Sequence, residues 1–346
     1  MCNPEHLTLL RQGVTSWNQW RDEDLGTTES SLALPKINLR EASLDHIQLP
    51  QINLRSADCC MADLHNADLQ EANLREALLY TADLRGVNLS RAILTGADLR
   101  EASLQGANLK ATVLDAATLV MASLERASLR EAKLQAADLQ EANLCHVDAC
   151  MAVFRNAHLA RAEMRGIILY TADLSQANLK GSHLHQADLR EANFNQANLQ
   201  DADLRAADLS AASFCVANLV GANLYGACLE NTILSLANLC MANLSHAYLP
   251  KAVLVGSILI SANLYGANAQ QANLSECDFR EAIFNKANLE GVNLQRSNLQ
   301  RASLQEANLQ GADLREADLS QANLWNANLV GANLAGATMP DGTLHD

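Results

Sequence analysis

One five-residue register runs from about Leu34 to Leu344 without an insertion or deletion. Ala82-Asp83-Leu84, Ala97-Asp98-Leu99 and Ala107-Asn108-Leu109 display it, and so, far downstream, do Ala312-Asp313-Leu314 and Ala332-Asn333-Leu334. Nearly every position whose number ends in 4 or 9 is Leu. Phe154, Met164, Phe194, Phe214, Phe279, Phe284 and Met339 put another large apolar residue there. Two residues earlier sits a small residue, usually Ala, and between the two stands Asn, Asp, Ser or Thr. A period of five matches neither a helix face nor strand alternation. It marks an internal repeat, and a repeat decides architecture before local propensity does.

Regularity at two positions in five means that both point inward while the other three face solvent. Four such units, twenty residues, close a square coil whose narrow interior is filled by stacked Leu and stacked Ala. Backbone groups then pair with the coils on either side. At the roughly 4.8 Å strand spacing, about sixty-two units make about 15–16 coils and a rod on the order of 75 Å long. Cys59, Ala149 and Ala269 shrink the centre position, and Ile37, Ile47, Ile52 and Ile167 swell the small one. Small cavities or bulges are expected there, not breaks. An aromatic content of 4% fits a core too narrow for rings.

This pattern resembles the pentapeptide repeat family, whose motif is written A(D/N)LXX, over about nine tenths of the chain. The resemblance implies an all-β solenoid, a right-handed quadrilateral β-helix, forming one domain over residues 34–344 behind a helical cap over residues 1–33. Within that head, Asn3-Pro4 starts a helix, with Pro pre-set for the first helical position. Leu7, Leu10, Val14 and Trp17 follow helical spacing, and Gly13 separates two short helices. Trp17 and Trp20 are expected to cover the first Leu layer. The Gly-Val and Trp-Asn-Gln-Trp-Arg run is similar to the heads of cyanobacterial members. At the far end, Met339-Pro340-Asp341-Gly342 reads as a turn that stops the ladder, because Pro donates no ladder bond.

No run approaches eighteen apolar residues, so no spanning helix is expected, and the first residues lack a signal segment. Nine cysteines, an odd number without framework spacing, suit reduced thiols in a cytoplasmic protein. The net charge of −14 argues against direct nucleic-acid binding, which needs a basic stripe.

An acidic rod also raises the reading that the quinolone-resistance group of the family implies: a DNA-mimicking inhibitor or protector of DNA gyrase. Duplex DNA carries one charge per roughly 1.7 Å, so about 75 Å of it presents more than forty. Residues 1–33 hold two basic and five acidic side chains, a net −3, which leaves −11 of the −14 for the repeats. Alternating pairs such as Arg40-Glu41, Arg75-Glu76, Arg100-Glu101, Arg130-Glu131, Arg190-Glu191, Arg280-Glu281 and Arg315-Glu316 neutralise much of that. Gyrase therefore stands as the alternative partner.

Catalysis finds no foothold. His183 and His185 flank Leu184 on one face, but two ligands are not a metal site. Cys145-His146 and Cys150 fall on adjacent faces without a fourth ligand. Scattered Ser, His and Asp residues share no cleft on a convex surface. Glycines such as Gly86, Gly96 and Gly106 occupy one repeat position near the corners, not a phosphate loop. An enzyme, a cofactor or a metal is not expected.

The local signal is where outward positions turn apolar. Val220, Cys240 and Ile260 succeed one another in a single column, beside Met241. Val216, Leu236, Val255, Ile233, Val253, Cys228, Tyr248 and Pro250 lie on neighbouring faces, and Tyr225 and Tyr265 on the remaining one. A belt over about residues 216–265 is the expected contact surface for another protein or for self-association. Cross-rung packing of apolar side chains is the competing explanation. A thinner patch gathers Cys150, Met151, Val153, Ile168 and Tyr170. The leading expectation is a non-catalytic interaction scaffold or regulator, the second the gyrase reading, the third a redox or metal sensor using exposed cysteines.

Overall fold

One hydrogen-bond plan repeats through the coils. Each centre N–H donates to the carbonyl of the polar position one coil on, as from Leu39 to Asp58 at 2.7 Å or Leu219 to Asn238 at 2.7 Å. The N–H of that polar position donates back to the small residue of the preceding coil, Asp58 to Ile37 at 2.9 Å. The fifth residue donates across as well, Glu41 to Cys60 at 3.0 Å, and the small residue closes a turn, Ala42 to Leu39 at 3.1 Å. One donor per repeat is left, the N–H just after the centre. The Asn or Asp side chain takes it: Arg40 N–H donates to Asn38 Oδ1 at 2.9 Å and Val220 N–H to Asn218 Oδ1 at 3.2 Å. That bond accounts for the polar position, since a short side-chain carbonyl reaches two residues on and every buried donor needs a partner.

The computed structural model describes residues 4–23 and 33–346, in two compact units, Met1–Ala172 and Asp173–Asp346. Within each unit every parallel bridge joins a residue to the one twenty further on, in four columns per coil, as Asn38↔Asp58 and Asn218↔Asn238. The corners are turns whose third residue has positive φ. Gly86, Gly96 and Gly106 do sit there, at φ +65°, +66° and +67°. Side chains crowd the same conformation, including Glu41, Met241 and the β-branched Thr81, Thr171 and Val216.

In the first unit, α1 (Pro4–Arg11) and α2 (Val14–Glu23) meet at Gly13, φ +100°; Asn3 lies outside the described residues. Trp17 is fully buried and donates Nε1–H to the Gln48 carbonyl at 2.7 Å. Asn18 accepts the Gln48 N–H at 2.9 Å and donates to the His46 carbonyl at 3.0 Å. A preceding coil would pair those Gln48 groups in the repeat plan; here α2 pairs them. Trp20 leans on Trp17, ring centres 5.3 Å apart, and is half-buried. Leu7 and Leu10 border a groove against Ile37, Leu39 and Leu44, while Val14 borders another beside Asp45 and His46. The odd-sized core residues cause no break: Cys59 still donates to Leu78 at 2.7 Å and Ala149 to Ile168 at 2.8 Å.

In the second unit Ala269 likewise keeps its rung, donating to Asn288 at 2.8 Å. The idea of a core too narrow for rings is overturned, since Phe154 in the first unit and Phe194, Phe214, Phe279 and Phe284 in the second are fully buried. Phe194 and Phe214 stack flat, centres 4.7 Å apart, which is the rung spacing itself, so a ring at the centre position costs no extra height. Hydroxyls in the small column turn to the Leu carbonyl of the previous coil, Thr232 to Leu209 at 2.8 Å and Ser257 to Leu234 at 2.6 Å. After Met339 the chain turns back, Gly342 N–H on the Met339 carbonyl at 2.9 Å, and the parallel ladder gives way to an antiparallel bridge, Thr338↔Leu344.

Candidate protein-interaction surface

The plan above puts three outward side chains on each side of a coil: two from corners and one from the polar position between them. In the second unit, one side carries Val216, Asn218 and Val220, the next rung Leu236, Asn238 and Cys240, and the next Gly256, Ile258 and Ile260. Met241 stands at the corner beyond Cys240. Val216 is 54% exposed and Leu236 and Met241 are each 64% exposed. Val220, Cys240 and Ile260 are half-buried. Around the opposite corner, Val255, Ile233 and Val253 extend the apolar surface, with Ile233 exposed. A methyl added at Gly256 would stand 2.9 Å from Leu236 Cδ2, so the leucine lies over the glycine of the neighbouring rung. Arg280, Glu281 and Arg301 border Ile260 and give the patch a charged edge.

The other residues expected in a belt do not join this patch. Beyond Met241 the side is polar, Asn243 donating to Asn223 Oδ1 at 3.2 Å. Tyr225 and Tyr265 stand at the corner after it, on either side of His246, with ring centres 5.7 and 5.6 Å from it. Tyr248 is exposed above half-buried Cys228 on a further side, and Pro250 is buried at its corner. The apolar surface thus covers two adjoining sides instead of encircling the coil. Ile258, exposed, belongs to it and was not singled out in the sequence. Its signal is an apolar residue in the polar column, in line with Asn218 and Asn238.

Half of the described thiols are withdrawn from the surface. Among the described residues Cys59, Cys60, Cys150 and Cys277 are buried, Cys145, Cys215, Cys228 and Cys240 half-buried, and all eight are free. Burial pushes the Cys59 and Cys277 thiols up to about 12. Cys150, expected to face outward, is covered, with its N–H on Asp148 Oδ1 at 3.2 Å. Cys59, Cys60, Cys150 and Cys277 therefore give a redox sensor no basis, because the reactive form is an accessible thiolate. His183 and His185 gather no third ligand among the described residues, and Cys145, His146 and Cys150 do not converge as a group of three.

Arg40 and Glu41 pair as neighbours along the chain, 3.6 Å apart, but a second pattern of charge pairing recurs. Arginines chelate the aspartate two residues before them. Arg100 holds Asp98 with Nε–Oδ1 2.8 Å and Nη2–Oδ2 2.6 Å, and Arg205 holds Asp203 at the same distances. Asp83, Asp188, Asp278 and Asp313 are held likewise by Arg85, Arg190, Arg280 and Arg315. Both partners flank one centre residue on the same side of the coil, whereas the following Glu sits past the turn and meets the next rung, as Glu76 meets Arg55 at 2.9 Å. These guanidiniums hold the Asp83, Asp98, Asp188 and Asp203 carboxyls below the usual carboxylate range.

A four-columned parallel ladder of five-residue units, with turns at each corner, defines a quadrilateral β-solenoid. The family model for pentapeptide repeats matches stretches that together run from residue 36 to residue 346, and the chain belongs to that family of right-handed β-helices. HetL of the cyanobacterium Nostoc sp. strain PCC 7120, a pentapeptide repeat protein involved in heterocyst differentiation regulation, is similar at 32% identity, over 69% of this chain and 91% of that one, TM-score 0.30. Rfr23 of the cyanobacterium Cyanothece 51142 is 38% identical over 32% of this chain and 64% of its own, TM-score 0.16. Full-length QnrB1, a plasmid-mediated fluoroquinolone resistance protein, is 18% identical over 51% and 83%, TM-score 0.23. Comparison with the curated proteins gives no match.

Proposed function

We propose that this is a cytosolic, non-catalytic interaction protein that docks another protein on the apolar surface around Val216, Leu236, Met241 and Ile258. The observation that carries the reading is the exposure of Leu236 and Met241, 64% each, on one rung beside Val216, 54% exposed, and Ile258, 40% exposed, on the rungs either side. Contiguous exposed apolar surface with a charged edge is the usual composition of a contact site. A rigid ladder offers it already organised, so little freedom is lost on binding. The gyrase reading is weaker here, because six of the aspartates that would imitate phosphates are chelated by the arginine two residues on.

The test compares the wild-type chain with a Leu236→Asp/Met241→Asp variant in affinity capture from native lysate, with folding checked by circular dichroism. A partner retained by wild type and lost by the variant is the expected result. Equal retention by both overturns the surface. Inhibition of gyrase supercoiling by both proteins alike would favour the alternative.

A further inference from the structure

A group of potential ligands lies outside everything used so far, at one corner of the first unit. Asp45 and His65 occupy the same corner column on successive rungs, and His46 follows Asp45 round the turn. One ligand atom from each of Asp45, His46 and His65 lies within 4.8 Å of the other two. His46 Nδ1 and Asp45 Oδ2 are 3.3 Å apart. Two ligands held about 2.0–2.1 Å from one tetrahedral ion are about 3.3–3.4 Å from each other, so this pair already has the spacing of a chelate. The imidazoles of His46 and His65 meet edge to face, centres 5.0 Å apart.

The surroundings suit a cation as well. His65 Nδ1 lies 3.4 Å from Asp63 Oδ1, an oxygen that also accepts the His65 backbone N–H at 3.2 Å. A carboxylate behind a ligating histidine is the usual support that fixes its tautomer and raises its basicity. His46 Nε2 is 3.4 Å from Asn66 Nδ2, and ligation through Nδ1 needs that amide turned so that its oxygen accepts the Nε2 proton. In front, Thr15, Asn18, Gln19 and Asp22 of α2 line a concavity with Asp45 and His46.

We propose that Asp45, His46 and His65 form a binding site for a zinc-class divalent ion, supported by Asp63, at the edge of the contact between α2 and the first coil. Two imidazoles and one carboxylate are the donor set such ions prefer, with water completing the coordination. Bound there, the ion joins two rungs of the first unit directly, and binding stabilises the fold by mass action.

Zinc is titrated into the full chain and followed by calorimetry together with imidazole nitrogen resonances. The first equivalent should shift His46 and His65 together, and His65→Ala should weaken that step at least tenfold. Asp63→Asn should weaken it about 10–100-fold if it supports the ligand from behind. His183→Ala, remote in the sequence, should leave it unchanged. Circular dichroism confirms folding of each variant, and all the substituted positions are at least partly exposed. A first equivalent that leaves the His46 and His65 resonances in place, or an affinity equal in wild type and His65→Ala, overturns the site. So does an equal loss in His183→Ala.

Discussion

At the scale of the residue, the turn position is where this chain stores strain. Left-handed backbone costs an ordinary residue about 1–2 kcal/mol, and β-branched residues suffer most. Thr81 and Thr171 recover part of that by donating Oγ1–H to the preceding tyrosine carbonyl, each at 2.8 Å. Val216, φ +61°, has no hydroxyl to do so and lies exposed in the apolar patch. Strain kept at an exposed site points to a contact made there. Val216→Gly should therefore raise the thermal midpoint while weakening capture of the partner by the patch. A lower midpoint would show that the valine is retained for packing against Leu236.

At the scale of the element, α2 takes the place of a coil. Trp17 and Asn18 pair the backbone of Gln48 that the repeat plan leaves open. Trp17→Ala removes a fully buried ring, a change that costs about 3–5 kcal/mol in a packed core. Hydrogen exchange should quicken at residues 44–52 and stay unchanged at residues 216–265; equal quickening in both would mean that the contact is not local. The helix spacing of Leu7, Leu10, Val14 and Trp17 was legible, as were the two inward positions and the glycine corners, because each is a short-range period. What stayed hidden depends on neighbours one rung away. Arg100 and Asp98 look like unrelated surface charges until both are seen to flank Leu99 on one side. Asp45 and His65 become neighbours only when residues are counted by twenties. Cys150 stands in an outward position by its number, and only the packing around it shows that it is covered. The centre column accepts a phenylalanine because a flat ring is no thicker than a rung, which a residue-volume argument misses.

At the scale of the whole molecule, the acid side of the charge balance is tied into the fold. Asp83, Asp98, Asp188 and Asp203 have folded values lowered by their arginines. Groups lowered in this way add stability that is fully present above their unfolded value of about 3.9 and is lost as pH falls through the folded one. The thermal midpoint should stay level from about pH 7 to 5 and drop below about pH 4. Asp203→Asn should start lower at neutral pH and drop less; an identical acid profile would show that the Arg205 chelate contributes nothing. The twenty-residue pairing carries one more consequence. Removing a single five-residue unit between Val220 and Leu236 would leave the inward pattern of Leu and Ala intact, yet it would rotate every later outward residue by a quarter-turn. Leu236 would then be carried off the side that holds Val216 and Val220 and Met241 would move into its place, so gains and losses in this second unit preserve its surface only in whole coils.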